Sequence, residues 1–152
     1  MKKKQLNKSE IKELNQRLEN YNFEIDKKDR VEYIEKEKIR IICINQVPAF
    51  FYLDEKLIPT LKFLEKMPLK KVTVDMGAIR FVCSGADIMR PGIVSFDNDI
   101  VQDEIIQIVD ETHGKSLAIG ISRLSSVDLV NTDKGKVVKN LHFVGDDIWN
   151  FP

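Results

Sequence analysis

Val74-Asp75-Met76-Gly77-Ala78-Ile79-Arg80-Phe81-Val82-Cys83-Ser84-Gly85-Ala86-Asp87-Ile88-Met89-Arg90-Pro91-Gly92-Ile93 is the stretch whose punctuation decides the fold. Three glycines and a proline divide it. The residues before Gly77 predict a strand that ends sharply where glycine takes a positive φ. Ala78, Phe81 and Val82 then fall at i, i+3 and i+4, predicting the inward face of a short helix. Gly85 stops that helix, and Pro91-Gly92 makes a tight turn before the extended run Ile93-Val94-Ser95. The segment therefore reads as strand, turn, short helix, turn, strand.

Downstream, Glu104 to Asp110 is a strongly apolar strand. His113-Gly114-Lys115 turns the chain into a partner strand, Ser116 to Ser122, in which Gly120 marks a close bend of a small barrel. Ser125 to Val130 reads as a helical turn capped by Ser125 or Ser126, followed by a short strand at Val137-Val138. The run Asn140 to Trp149 closes the chain, with Trp149 as an anchor packed on the barrel.

Upstream, Leu6, Ile11, Leu14, Leu18 and Tyr21 recur near helical spacing, and Asn7 with Glu10 forms a capping-box signal. A helix over residues 8–20 follows, its other face carrying mixed charges suited to solvent. The period then shifts towards two, and the runs around Val31 to Ile34 and Ile39 to Ile44 predict a hairpin turning at Lys36-Glu37-Lys38. Pro48 places the next strand at an edge or bends it on entry. Phe50, Phe51 and Tyr52 on that strand read as core packing rather than as a base-stacking set, since alternation sends at least one of them inward. Pro59 predicts a helix start, with Leu61, Leu64 and Met67 behind it and Pro68 as its end.

A length of 152 residues allows one domain or two small ones. With 43% hydrophobic and 32% charged residues the chain is globular, and no apolar run reaches the roughly 20 residues of a membrane span. The basic start, Met1 to Gln5, is followed by no apolar signal segment, which points to a cytoplasmic location. Residues 1–69 hold 15 basic and 12 acidic side chains, a balance of +3, and residues 70–152 hold 9 and 12, a balance of −3. Affinity for nucleic acid must then come from a local patch or from the N-terminal half. Cys43 and Cys83 lack metal-ligand spacing and read as buried reduced thiols. His113 and His142 belong to no nucleophile or metal arrangement, and no phosphate-loop signature occurs. No enzyme active site, cofactor site or metal site is legible.

The string from Val74 to Ile93 resembles the opening of a PUA domain, the RNA-binding module of pseudouridine synthases and archaeosine transglycosylases. It is closer still to the malignant-T-cell-amplified-sequence and density-regulated-protein family of translation factors, whose archaeal members are small stand-alone proteins. The resemblance runs from about Phe50 to Trp149, and Phe50-Phe51-Tyr52 with Pro59-Thr60-Leu61 looks like that family's pre-PUA domain. It implies an α+β protein: a pre-PUA domain at 1–70 packed on a PUA pseudo-barrel, a mixed β-barrel with short helices, at 71–152. One departure is Gln102-Asp103, where most such domains have Gly-Asp before the first strand of the central hairpin.

In PUA domains RNA lies against the first helix, the turn after it and the strand led by Pro-Gly. The matching residues here are Gly77, Arg80, Gly85, Ala86, Asp87, Ile88, Met89, Arg90, Pro91 and Gly92. Arg80 and Arg90 are the cations to meet phosphate, while Gly85 and Ala86 permit close approach. Gly85 and Gly92 read equally as structural turns, and Ile88 and Met89 also read as packing residues. Lys115 and Arg123 are further candidates. The implied function is non-enzymatic binding of structured RNA, tRNA or ribosomal RNA, in translation initiation or ribosome recycling, with a protein partner for the N-terminal domain and no membrane or DNA target. Shape recognition suits a stem, a stem–loop junction or a tRNA end. An accessory subunit for an RNA-modifying enzyme and a protein–protein adaptor are the alternatives.

Overall fold

In a computed structural model that describes residues 1–152, the chain divides into two units, Met1–Pro68 and Leu69–Pro152. The architecture is α+β. The first unit runs β1 (Lys2–Gln5), α1 (Lys8–Arg17), β2 (Val31–Lys36), β3 (Ile39–Ile44), β4 (Val47–Leu53) and β5 (Lys56–Pro59). The five strands form one antiparallel sheet in sequence order.

The capping box holds the start of α1: Asn7 Oδ1 accepts from Glu10 N at 2.9 Å and Glu10 Oε1 from Asn7 N at 3.0 Å. The helix is shorter than its periodicity predicts, because it tightens into a 3-10 turn at Glu19–Tyr21 and ends on Asn22 at φ 53°. Leu14 and Leu18 are buried from it, and Phe50 is fully buried. Phe23 and Phe63 meet edge to face at 5.4 Å, and the Tyr21 ring lies 6.3 Å from that of Phe50. Phe50 and Phe51 of the aromatic run on β4 are thus core, and Tyr52 is half-buried.

Pro48 faces Cys43 where the β3–β4 ladder slips between Ile42 and Cys43, so a bulge absorbs the missing donor. The helix expected from Pro59 does not form. Pro59 instead ends β5, and only a 3-10 turn, Leu61–Phe63, follows. Strand β1 is a second departure: its four exposed polar residues, Lys2 to Gln5, carry no apolar signal, yet they pair with β2 at the sheet edge.

The second unit runs β6 (Lys71–Val74), α2 (Ile79–Val82), β7 (Ile88–Met89), β8 (Ile93–Phe96), β9 (Glu104–Asp110), β10 (Ser116–Ser122), α3 (Ser126–Val130) and β11 (Lys136–Phe143). Its sheet has the order β7-β11-β10-β9-β6-β8, all antiparallel except the β6–β9 pair. Val72, Ile106, Ile108, Ala118 and Leu129 are among the fully buried residues of its core.

Gly120 sits where the β10–β11 register shifts, and a Cβ there would lie 2.7 Å from the Lys139 carbonyl oxygen. That bend is the one expected of a small barrel. Strand β11 is a single eight-residue strand rather than the two short runs expected. Asp103 before β9 takes φ 64°, so the Gln102-Asp103 turn adopts a left-handed residue without glycine. Cys43 is buried and Cys83 half-buried, both as free thiols. No helix is long and apolar enough to cross a membrane.

Candidate nucleic-acid interface

Asp75 begins the motif by accepting a hydrogen bond from Ala78 N at 2.9 Å, which caps a 3-10 turn at Met76–Ala78 leading directly into α2. Gly77 lies inside that turn and its φ is not positive, so the strand ends through the Asp75 cap rather than through a left-handed glycine. Along α2 the inward residues are Ala78, Ile79, Val82 and Cys83. Phe81 points outward instead, with 54% of its surface exposed. A single helical turn cannot pack its apolar residues on both sides at once.

Gly85 ends α2 at φ +95°, and its Cα lies so near Phe143 that a Cβ would stand 3.0 Å from the ring. Both conditions require glycine. Ala86, exposed, leads to Asp87, whose Oδ1 accepts from Asn140 N at 3.0 Å. Asn140 returns the contact, its Nδ2 donating to Val82 O at 3.0 Å and Ala86 O at 3.1 Å. Asn140 thereby staples the loop after α2 to β11, a role no local pattern in the sequence announces.

Ile88 is buried and Met89 half exposed on β7, which pairs with β11. Arg90, Pro91 and Gly92 form a 3-10 turn, and Gly92 O accepts from Asp75 N at 3.0 Å, closing the motif on itself. Arg90 is held within the unit: Nε donates to Leu129 O at 2.9 Å and Nη1 to Ile93 O at 3.2 Å, with the guanidinium 5.5 Å over the Phe96 ring. Arg80 differs. It is exposed, forms no ion pair, and rests 4.9 Å from the centroid of the Phe81 ring.

Lys115 follows the β9–β10 turn and lies on the α2 side, where its charge acts on Cys83. Burial pushes the Cys83 thiol up against that opposing pull. Arg123 stands at the other end of β10, roughly 25 Å away at the usual strand rise. It pairs with Asp103 at 3.3 Å. The motif therefore gathers Gly77, Arg80, Gly85, Ala86, Pro91, Gly92 and Lys115, while Asp87, Ile88 and Arg90 build its frame and Arg123 lies apart.

The acidic excess of this unit is largely committed to backbone donors. Asp75, Asp87, Asp97, Asp110, Glu111 and Asp146 each accept main-chain N–H groups. The N–H groups of His113, Lys115 and Thr112, opposed by burial, hold the Asp110 carboxyl below its usual range. Arg80, Lys115, Lys134, Lys136 and Lys139 form no ion pair. No group of three or more His, Cys, Asp or Glu side chains is placed to hold a metal ion.

Comparison with known proteins fits this geometry. Residues 70–144 match the PUA domain and residues 2–67 match a domain of unknown function, DUF1947. An uncharacterized protein of Methanocaldococcus jannaschii is 42% identical, over 96% of this chain and 94% of its own. Translation machinery-associated protein 20 of Eremothecium gossypii is 36% identical, over 84% of this chain and 75% of its own. Malignant T-cell-amplified sequence 1 of Rattus norvegicus is also 36% identical, over 82% and 72%. Among solved structures, a hypothetical protein of Pyrococcus horikoshii superposes with a TM-score of 0.80 at 31% identity, covering 98% of both chains. The fold and its motif define a PUA-domain protein with a pre-PUA domain. Within that class, the chain belongs to the family of malignant T-cell-amplified sequence 1 and translation machinery-associated protein 20.

Proposed function

We propose that this chain binds structured RNA, without catalysing a reaction on it, as part of the translation apparatus in the cytoplasm. The observation that carries the reading is Arg80, exposed and in no ion pair, on the short helix that leads to Gly85 and the exposed Ala86 in the same motif as the exposed Pro91. Such a surface lets a phosphate backbone approach a cation and main-chain donors closely. Kinship with proteins named for the translation machinery and the PUA domain match support the biological setting.

The RNA is tRNA or ribosomal RNA, the step is initiation or recycling, and the first unit, residues 1–68, engages a protein partner. Binding of the purified protein to total tRNA and to ribosomal subunits, at low and moderate salt with a duplex DNA control, tests this. Salt-sensitive binding to RNA but not DNA is expected, since phosphate contacts release counterions. Absence of RNA binding at low salt overturns the reading.

A further inference from the structure

We infer that Val101, Val127 and Val130 form a docking surface on the second unit for a basic segment of a partner protein, one that carries aliphatic residues among its lysines or arginines. None of the three valines belongs to the motif read above as the RNA site, so the inference stands apart from that reading.

Apolar side chains scattered singly over a surface are ordinary. These three are gathered. Ser126 N donates to Ile100 O at 2.9 Å and Ile100 N to Ser126 Oγ at 2.9 Å, which stitches the chain before β9 to the start of α3. Val101 and Val127 each follow directly on one member of that pair, and Val130 lies three residues along α3 from Val127, on the same helical face. Their exposures are 60%, 70% and 70% in the order of the chain. Local stability gives no reason for valine at 127 and 130, because a β-branched side chain loses rotamer freedom in a helix and buries little here.

The rim names the charge of the occupant. Residues 97–103 and 125–133 include Asp97, Asp99, Asp103, Asp128 and Asp133 and no lysine or arginine, with Lys134 following at the far end. Two cations reach these segments and both are held in ion pairs: Arg123 with Asp103 at 3.3 Å, and Lys70 with Glu104 at 3.2 Å and Asp99 at 3.7 Å. Asp128 and Asp133 are exposed and form no ion pair. Such a rim repels the phosphates of a nucleic acid and attracts lysine and arginine. An apolar centre within a polar rim is the anatomy of a protein interface, and one built on three valines is small enough for a transient contact.

The test follows amide NMR signals of the full chain during titration with a synthetic peptide of leucines interspersed with lysines, and with the same peptide carrying glutamate for lysine. The lysine peptide is expected to shift the signals of Val101, Val127 and Val130, and the glutamate peptide to leave them in place. The double variant Val127→Ser, Val130→Ser should melt as the wild type does and bind the lysine peptide about tenfold more weakly, the loss of part of one buried valine contact. Added salt should weaken binding in the wild type. Equal binding by the double variant, or shifts that avoid the three valines, overturn the inference. A dimer in sedimentation that the double variant dissolves also overturns it, by making a second copy the occupant. Weaker binding of tRNA or ribosomal subunits by the double variant overturns it in favour of RNA.

Discussion

His142 Nδ1 lies 2.9 Å from Asp146 Oδ2, and the histidine is only 1% exposed. A carboxylate can only accept, so Nδ1 carries the hydrogen. Asp146 also accepts from Phe143 N at 2.9 Å and Trp149 N at 2.8 Å, tying the end of β11 to the C-terminal segment. Burial opposes ionisation of Asp146, but His142 and the two N–H donors outweigh it and hold the carboxyl below its usual range. A carboxyl lowered on folding stabilises the protein fully above its unfolded pKa of about 3.9. That contribution is lost as pH falls through the lower folded value. We expect Asp146→Asn to cost about 1–3 kcal/mol near neutral pH. Urea titrations from pH 7 to pH 3 should show a smaller loss of stability with acid in this variant than in the wild type.

Gly120 has no room for a side chain, with the Lys139 carbonyl 2.7 Å and Val138 Cγ1 2.8 Å from where its Cβ would stand. Because its φ is not positive, the cost of substitution is steric. Gly120→Ala is expected to destabilise by about 1–3 kcal/mol, the range for overfilling a packed site. The midpoint of urea unfolding reads it.

Strand β10 and its other neighbour, β9, show how much of the fold is legible in sequence. The bounds of β9 and β10 follow from their apolar runs and the turn between them, and Gly120 announces its own bend. Strand β1 could not be read, because an exposed polar edge strand is defined by the hydrogen bonds of its neighbour and not by its own pattern. The strand ending at Pro59 was unreadable for the converse reason: pairing with Phe50 keeps Pro59 in the sheet despite its suitability as a helix start. Gly85 in the motif, and Asn7 with Glu10 at the start of α1, were identifiable because a residue or two suffices to make each conformation. Phe81 was not, since a four-residue helix is too short for periodicity to assign a face.

Arg80 and Arg90, alike in sequence, should separate by experiment. Arg90 donates to Leu129 O and Ile93 O, so Arg90→Ala should cost about 1–3 kcal/mol of stability. Arg80→Ala should leave the unfolding midpoint within about 0.5 kcal/mol, as expected of an exposed residue.

Thiol labelling gives an independent check on the first unit. Burial pushes the Cys43 thiol up, with Glu32 adding to the effect, and Cys43 is 4% exposed. In native buffer at pH 8 Cys43 should resist a disulfide reagent, and it should react at once in denaturant.

The most direct measurement is RNA affinity of the wild type beside Arg80→Glu, at two salt concentrations, with thermal melting as a control for folding. The account predicts that Arg80→Glu melts as the wild type does, binds tRNA or ribosomal subunits more weakly, and shows a shallower dependence on salt. Equal affinity and equal salt dependence in the two proteins would contradict it.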